Sequence, residues 1–495
     1  MTEDERKELL KKLLKKHKRG QLKTADRLRI PPQQMPEQEP AERINNVNEV
    51  TTGYSETQAR LEAMRCLQCR NQPCVKGCPV QIRIRDFIAQ IADGNYKKAL
   101  SIIKESSLLP AVCGRVCPQE VQCQQTCTVG LRYKDATKAV SIGRLERFVA
   151  DTCKDFDSLP AVAAQTRMKV AVIGSGPGSI VAASDCTRAG HQVTIFEAFH
   201  KPGGVMVYGI PEFRLPKTIV QKEIETLRKM GVKIVCNFVA GKTRTVEQLM
   251  KNNGFDAVFI GVGAGLPVFM NIPGESLVGV YSANEYLTRV NLMKAHDFGK
   301  GTDTPVIRSE KTAVIGGGNV AMDSARTALR LGAGQVYLIY RRTEKQMPAR
   351  IEEIHHAKQE GVNFLTLQNP VRIIGDADSR VKTLECLRYK LGEPDASGRP
   401  RPVPIEGSEF TIDVDNIIVA IGNRANPLLT KSMPELKLSK WGNIVVDEKC
   451  RTSLEGVYAG GDIVLGSATV IQAMGQGRVA AAAINEYLAK KANKT

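Results

Sequence analysis

Short apolar runs, each closed by glycines, punctuate the chain from residue 168 onward. KVAVI, from Lys169, leads into Gly174-Ser175-Gly176-Pro177-Gly178-Ser179, then a helix of small residues, then QVTIFE. Strand, glycine turn, helix and second strand make a βαβ unit. KTAVIGGGNVAMDSARTALRLGAGQVYLIYRR, from Lys311, repeats the pattern. VKIVCNFV, DAVFIGVGAG (256–265) and DNIIVAIGNRANP (415–427) read as further strands, and IQAMGQGRVAAAAINEYL reads as a helix. Two strands of the first unit have no closing partner until the C-terminus, so the second unit is expected as an insertion in the first. The N-terminal part has a different texture. Leu9, Leu10, Leu13 and Leu14 can line one face of a basic helix, and residues 31–56, rich in Pro, Gln and Asn, read as an extended connector.

The glycine turns carry the first chemistry. Glycines bring backbone close to a pyrophosphate at a helix N-terminus, where unpaired N–H groups and the dipole favour anions. In the first turn Gly174, Gly176, Pro177 and Gly178 fill these places, with Ser179 where a third glycine is usual. Glu197, 21 residues past Gly176, stands where an acid binds ribose hydroxyls. The second turn reads Gly316, Gly317, Gly318, Asn319, Val320, with Ala321 in the third glycine's place. Its second strand ends in Arg341 and Arg342 where an acid would serve NAD. Guanidinium there suits the 2′-phosphate of NADP, and Lys345 and Arg350 add positive charge. The bland alternatives are a ligand-free buried turn and a solvated arginine pair.

At 495 residues the chain has room for two to four domains. No apolar run reaches membrane-spanning length and no signal peptide opens the chain, so a cytoplasmic location is expected. The net charge of +18 fits an acidic partner or an anionic cofactor; nucleic acid is not expected, because aromatics are few and no nucleic-acid motif occurs. The six histidines form no metal-ligand or triad arrangement, and no catalytic residue set stands out. The chemistry is therefore assigned to cofactors.

Eight of the thirteen cysteines fall between Cys66 and Cys127. They read Cys66-x2-Cys69-x4-Cys74-x3-Cys78-Pro79 and Cys113-x3-Cys117-Pro118-x5-Cys123-x3-Cys127. Clustered cysteines with Cys-Pro endings hold iron–sulfur clusters, the last of a run often serving the other cluster. Two structural zinc sites are the alternative.

These cysteines, followed by Ala139-Val140-Ser141-Ile142-Gly143-Arg144-Leu145-Glu146, resemble the N-terminal domain of the glutamate synthase small subunit. The large subunit of the electron-bifurcating NADH-dependent ferredoxin:NADP oxidoreductase and the first half of dihydropyrimidine dehydrogenase share that domain. The resemblance implies interleaved ligands: Cys66, Cys69, Cys74 and Cys127 for one [4Fe–4S] cluster, and Cys78, Cys117, Cys123 and Glu146 for the other. Cys113 is then a non-ligand. A four-and-four division among the cysteines is the simpler alternative and makes Glu146 an ordinary helix residue. The resemblance also implies FAD in the first unit. The loop from Lys201 to Lys217, with Gly204, Val205, Gly209 and Ile210, would cover the flavin. Val239, in VKIVCNFV, would approach the adenine, and the strand DAVFIGVGAG, with Gly263, closes the first half of this domain. Gly461 and Asp462 would hold the ribityl or pyrophosphate region. Ala468, Thr469 and Val470 open a helix whose N-terminus would face the flavin ring and stabilise negative charge there. Helix capping by Asp462 or Ser467 is the bland reading.

The expected fold class is α/β: a helical N-terminal iron–sulfur domain (1–165), an FAD-binding Rossmann-like domain (166–295 and 426–495), and an inserted NADP(H)-binding domain (296–425). The implied protein is an NADPH-dependent oxidoreductase subunit with FAD and two [4Fe–4S] clusters. Its partner is a second redox subunit, either a flavoprotein, with ferredoxin as a further partner and electron bifurcation as the activity, or a glutamate synthase large subunit. Cys69-Arg70-Asn71-Gln72-Pro73-Cys74-Val75-Lys76-Gly77-Cys78-Pro79-Val80 looks closer to the first group.

Overall fold

The computed structural model describes residues 1–154, 161–297, 305–395 and 398–493. Its N-terminal part is helical. Thr2 and Glu5 cap the Glu3–Lys18 helix reciprocally, with acids in its first turn and Lys15, Lys16, His17 and Lys18 in its last, matching the helix dipole. Leu10 and Leu13 are buried while Leu9 and Leu14 pack at the margin. The helices Glu56–Met64, Ile84–Asp93, Tyr96–Lys104 and Ile142–Thr152 enclose a core of Leu61, Met64, Phe87, Ile88, Ile91, Leu145 and Val149. Cys78, Cys123 and Cys127 belong to that same core. The 31–56 connector is largely extended, but it is tied down. Arg43, in a short helical turn, is fully buried, and the Val50 N–H donates to the Phe213 carbonyl at 2.9 Å.

The strands follow. They are β1 (Lys169–Ile173), β2 (Gln192–Phe196), β3 (Lys233–Val235), β4 (Ala257–Ile260), β5 (Leu266–Pro267), β6 (Val280–Ser282), β7 (Lys311–Ile315), β8 (Gln335–Tyr340), β9 (Asn363–Thr366), β10 (Gln368–Gly375), β11 (Val381–Pro394), β12 (Pro400–Pro404), β13 (Phe410–Asp413), β14 (Asn416–Val419), β15 (Asn423–Arg424) and β16 (Val457–Ala459). One parallel sheet has the order β16-β4-β1-β2-β3 and a second β6-β14-β7-β8-β9. β4 and β14 are buried at every position, as strands covered on both faces are; β14 packs Ile418 against helices and Ile417 and Val419 against the small sheet that holds Ile373, Leu384 and Cys386. In each sheet the first-unit strand, β1 or β7, sits where strand order reverses, which opens the crevice in which such sheets bind ligands. Both glycine turns leave the chain at these points. β10 to β13 form a small antiparallel sheet, and β5 pairs with β15 where the chain enters and leaves the second unit.

Two expectations change. VKIVCNFV keeps regular strand register only through Val235; Asn237, at φ 56°, breaks it, although the Asn237 and Phe238 N–H groups still donate to the Phe199 and Glu197 carbonyls at 3.1 and 2.9 Å. The division at residue 295 does not follow the sheets. β6 pairs with β14 in the second sheet, so the chain has crossed over by Val280.

Two close contacts lock the assembly. The Val470–Ala492 helix lies against the Pro177–Arg188 helix with glycine facing glycine, and a Cβ on Gly477 would stand 2.1 Å from the Gly178 carbonyl. The second contact is a buried ionic cluster where three parts of the chain meet. Glu360 accepts from Arg43 at 2.8 Å, Arg326 at 2.8 Å and Arg330 at 2.7 Å. Arg214, from the loop after β2, pairs with Asp323 at 2.6 Å and Glu353 at 3.3 Å, and Arg326 also holds Glu353. Phe213 lies under Arg330 and Arg326, at 4.0 Å and 4.7 Å from the ring centre.

Opposed by burial but outweighed by the arginines, the carboxyls of Glu353 and Glu360 are held down to about 2. Their folded values lie below the unfolded one, so their stabilisation is present above about pH 4.5 and is lost as pH falls from there toward 2. Glu360→Ala removes the one carboxylate shared by three buried guanidinium groups and should cost about 3–5 kcal/mol. Differential scanning calorimetry at pH 7 checks this. A midpoint within a degree of wild type would contradict it.

Candidate functional site

Four of the sequence-predicted cysteines line one small cavity. Cys66, Cys69, Cys74 and Cys127 meet there, walled by Ile84, Ile88, Val129, Val140 and Ile142. Burial pushes the Cys66 thiol up to about 11 and the Cys74 thiol up to about 12. Apolar walls around four thiols suit a group that ligates and neutralises all four together.

The second set lies deeper. Cys78, Cys117 and Cys123 are buried, and so are Cys113 and Glu146. Burial raises the Cys78 thiol, opposed by the N–H groups of Ile82 and Val80. It raises the Cys123 thiol too, with Cys78 and Glu146 adding to the effect, while a bond with Cys113 is the first cause at Cys117. Glu146 projects from the Ile142–Thr152 helix, and its carboxyl is pushed well above the ordinary range by burial and then by Cys113. Its Oε1 has no hydrogen-bond partner. A buried carboxyl oxygen left unpaired among thiols is costly unless something absent from the polypeptide takes it up. A zinc ion draws its ligands within about 2.3 Å of one point. Among the described residues no three His, Cys, Asp or Glu gather in that way. A cluster distributes its ligands over four irons, and the residues present fit that group.

The glycine cradle of the first sheet converges as its sequence suggests. Gly174 is at φ 91°, and a Cβ there would lie 2.5 Å from the Gly261 carbonyl, so only glycine fits. A Cβ on Gly176 would meet nothing nearer than 4.0 Å, and one on Gly263 nothing within 4 Å, so both positions border open space. A Cβ on Gly204 would touch Gly176, and Gly178 and Gly461 both approach Ala473 of the C-terminal helix. Pro177 begins the Pro177–Arg188 helix. Glu197 is occupied within the loop: it accepts from the Ser175 N–H at 3.0 Å, the Ser175 hydroxyl and the Phe199 N–H at 2.8 Å. The Gly203 N–H in turn donates to Ser175 at 2.8 Å. Val205 opens a short helix ending before Gly209 and Ile210. Lys217 ties down the Ile210 carbonyl and, at 2.9 Å, the Leu215 carbonyl, and burial pushes its ammonium down to about 8. Val239 lies past β3 in a turn, its N–H bonded to Thr243. Asp462 accepts from the Ala468 N–H at 3.2 Å, and burial pushes its carboxyl up to about 6. Thr469 caps the helix that Val470 starts, leaving that N-terminus beside the cradle.

At the second sheet Gly316 and Gly317 pack tightly, against the Ala420 carbonyl and the Tyr340 ring, while Gly318 is open apart from Pro348. Asn319 accepts from the Arg350 N–H at 2.9 Å, and Val320 is exposed at the helix N-terminus. The predicted arginines separate. Arg341 is exposed. Arg342 is buried and donates to the Pro400 carbonyl and to Asp395, each at 2.8 Å. Arg350 is buried too, donating to the Arg115 carbonyl at 2.6 Å, Gln119 at 3.3 Å and Glu352 at 3.0 Å. Arg342 follows the end of β8 and Arg350 precedes the Ile351–Gln359 helix, and the guanidinium group of each is engaged by protein partners. Arg342 is drawn into the β11–β12 hairpin, and Arg350 into the cysteine segment.

Contacts that the sequence did not signal join these parts. Cys113 Sγ lies 3.7 Å from Met474 Sδ, Gln122 reaches Thr469 at 3.5 Å, and Gly475 leaves room for the Pro79 carbonyl. The cysteine segment therefore abuts the helix that closes the glycine cradle. Each pair is separated by hundreds of residues, so no local pattern could reveal it.

Known proteins match both halves. Residues 43–157 fit the model described as dihydropyrimidine dehydrogenase domain II, 4Fe-4S cluster, and residues 168–477 fit that of the pyridine nucleotide-disulphide oxidoreductases. The chain is 35% identical to the glutamate synthase [NADPH] small chain of Halomonas elongata, over 92% of this chain and 96% of that one. It is 38% identical to the NADP(+)-dependent formate dehydrogenase subunit beta of Moorella thermoacetica, over 84% of this chain and 60% of that one. The fold resembles FprA of Mycobacterium tuberculosis in complex with NADPH, with a TM-score of 0.55 at 19% identity over 66% of this chain and 86% of that one.

Ser175→Ala strands the Gly203 N–H and one Glu197 contact in a buried loop. It should destabilise the protein by about 1–3 kcal/mol. Thermal denaturation compared with wild type measures it, and an unchanged midpoint would show that the Ser175 bridge carries no strain or stability.

Proposed function

Because the chain belongs to the pyridine nucleotide-disulphide oxidoreductase family, with a 4Fe-4S segment ahead of it, we propose that this NADPH-dependent flavin and iron–sulfur oxidoreductase moves electrons between NADP(H) and a partner redox subunit through FAD and two [4Fe–4S] clusters. The observation that carries this reading is the continuity of the buried polar sites. Thiols and the unpartnered Glu146 stand on one side, the glycine cradle on the other, and Cys113–Met474 and Gln122–Thr469 lie between. FAD, when bound, exchanges a hydride with NADP(H) and single electrons with the clusters.

The chain's own residues provide position and charge. Ser175 and Glu197 hold the glycine loop against the Gly203 backbone. Gly174, Gly176, Pro177, Gly178, Gly204, Val205, Gly209, Ile210, Val239, Gly263, Gly461 and Asp462 line the FAD site. The helix opening at Ala468, Thr469 and Val470 favours negative charge at its N-terminus. Gly316, Gly317, Gly318, Asn319, Val320 and Arg341 line the NADP site. Cys66, Cys69, Cys74 and Cys127 hold one cluster; Cys78, Cys117, Cys123 and Glu146 hold the other, with Cys113 a non-ligand. The three functional parts are residues 1–165, the first sheet with β16 and the C-terminal helix, and the inserted second sheet from β6 to β14.

Two partners remain distinct readings. The near-complete match to glutamate synthase small chains supports a large glutamate synthase partner. The Cys69–Val80 sequence supports a small flavoprotein partner, ferredoxin and electron bifurcation. Purification of the native complex, followed by assays with glutamine plus 2-oxoglutarate and with NADH plus ferredoxin, separates them. A purified complex containing no second redox subunit would overturn the partner reading altogether. Among the described residues no helix is long and apolar enough to cross a membrane.

The ligand sets make a sharper test. Cys127→Ala should lose the cluster that also uses Cys66, Cys69 and Cys74, and Glu146→Ala should make the other labile, whereas Cys113→Ala should keep both. Glu146→Cys should keep both clusters and shift one reduction potential. Iron content and low-temperature paramagnetic resonance are the readouts. A cluster lost in Cys113→Ala, with Glu146→Ala unchanged, would establish the four-and-four division.

A further inference from the structure

Arg342 is doing something other than meeting the coenzyme. It stands at the end of β8, next to the exposed Arg341, yet both ends of its guanidinium are bound to a remote hairpin. Nε donates to the Pro400 carbonyl at 2.8 Å and Nη2 pairs with Asp395 at 2.8 Å. Asp395 and Pro400 flank the turn between β11 and β12. That turn is itself closed by the Asp395 N–H to the Arg399 carbonyl and the Gly398 N–H to the Asp395 carbonyl, each at 2.8 Å. A second tie runs through the backbone: the Leu367 N–H donates to the Arg342 carbonyl at 3.2 Å, and the Tyr389 N–H to the Leu367 carbonyl at 2.7 Å. β11, fourteen residues long, is thus fixed at mid-length and near its tip to the end of β8. Arg401, exposed, follows directly on the bonded Pro400.

The geometry points to the β11–β12 hairpin as the outer wall of the 2′-phosphate site, held there by Arg342 as a positioning residue and presenting Arg401 to the phosphate beside Arg341. The inference rests on the reading that places NADP at the end of β8. Pairing with Asp395 neutralises Arg342, so the free positive charge beside β8 comes from Arg341 and from the hairpin it anchors. Discrimination between NADPH and NADH then depends on a segment that lies outside the βαβ unit.

The test uses the full chain with its cofactors, and the probes are 2′,5′-ADP and 5′-AMP, measured by titration calorimetry. Asp395→Ala and Arg401→Ala should each weaken 2′,5′-ADP by roughly tenfold, the size of one charge-assisted hydrogen bond. Affinity for 5′-AMP should stay within about twofold, which a general loss of folding would not allow. Asp395→Glu keeps the ion pair and should retain the wild-type ratio of the two affinities. Flavin content reports on the integrity of each variant. Arg341→Ala is the reference. If it lowers the ratio while either Asp395→Ala or Arg401→Ala leaves it unchanged, the hairpin's role is overturned. If Arg341→Ala itself leaves the ratio unchanged, the 2′-phosphate does not bind at β8 and the underlying reading falls.

Discussion

Everything in this molecule depends on how three parts of the chain share one buried ionic cluster. Glu360 is fully buried and is surrounded by Arg43, Arg326 and Arg330, which come from the N-terminal connector and from the inserted unit. Arg214, from the loop after β2, joins through Asp323 and Glu353. Charges so deeply buried are tolerable only when every partner is in place, because the desolvation of each must be offset by the others. The cluster therefore gives little net stability over an apolar core but strongly penalises any other arrangement of the three parts. That selectivity fixes the thiol-bearing segment relative to the two glycine crevices.

Close approach of backbone joins the same parts. Gly178 and Gly477 let two helices touch backbone to backbone, and Gly475 leaves space for the Pro79 carbonyl next to Cys78. The Cys113–Met474 contact seats the cysteine segment on the same helix. Side chains at Gly178 or Gly477 would force the two helices apart. Arg350 adds a further link, from the second sheet's turn to Arg115 and Gln119 in the cysteine segment. The nucleotide crevices and the thiol sites are in this way held by one continuous set of buried contacts.

Glu146 shows how far a sequence pattern reaches. The family resemblance, not the cysteine spacing, implied a carboxylate ligand at that position; the structure buries Glu146 with one oxygen unpaired among Cys78, Cys113, Cys117 and Cys123. Arg342 and Arg350 show the limit. Arg342 stands where a strand-end rule puts a cation for a 2′-phosphate, and Arg350 follows ten residues beyond the end of β8 as added positive charge. A position on the strand does not, however, say whether the side chain is already engaged, and here both are.

The two βαβ units, their order and the cysteine segment were legible because each rests on local physics. An apolar strand, a glycine that alone can adopt positive φ, and thiols at short spacing are all written within about thirty residues. The insertion was legible for the same reason, since strands without partners must close somewhere. What only the tertiary structure decided is which side chains remain free. Arg43 meets Glu360 across more than three hundred residues, Arg342 meets Asp395 across fifty-three, and the first strand of the second sheet departs at Val280 rather than near residue 296. Those outcomes turn on desolvation and pairing between distant segments, and such energies have no local signature in the chain.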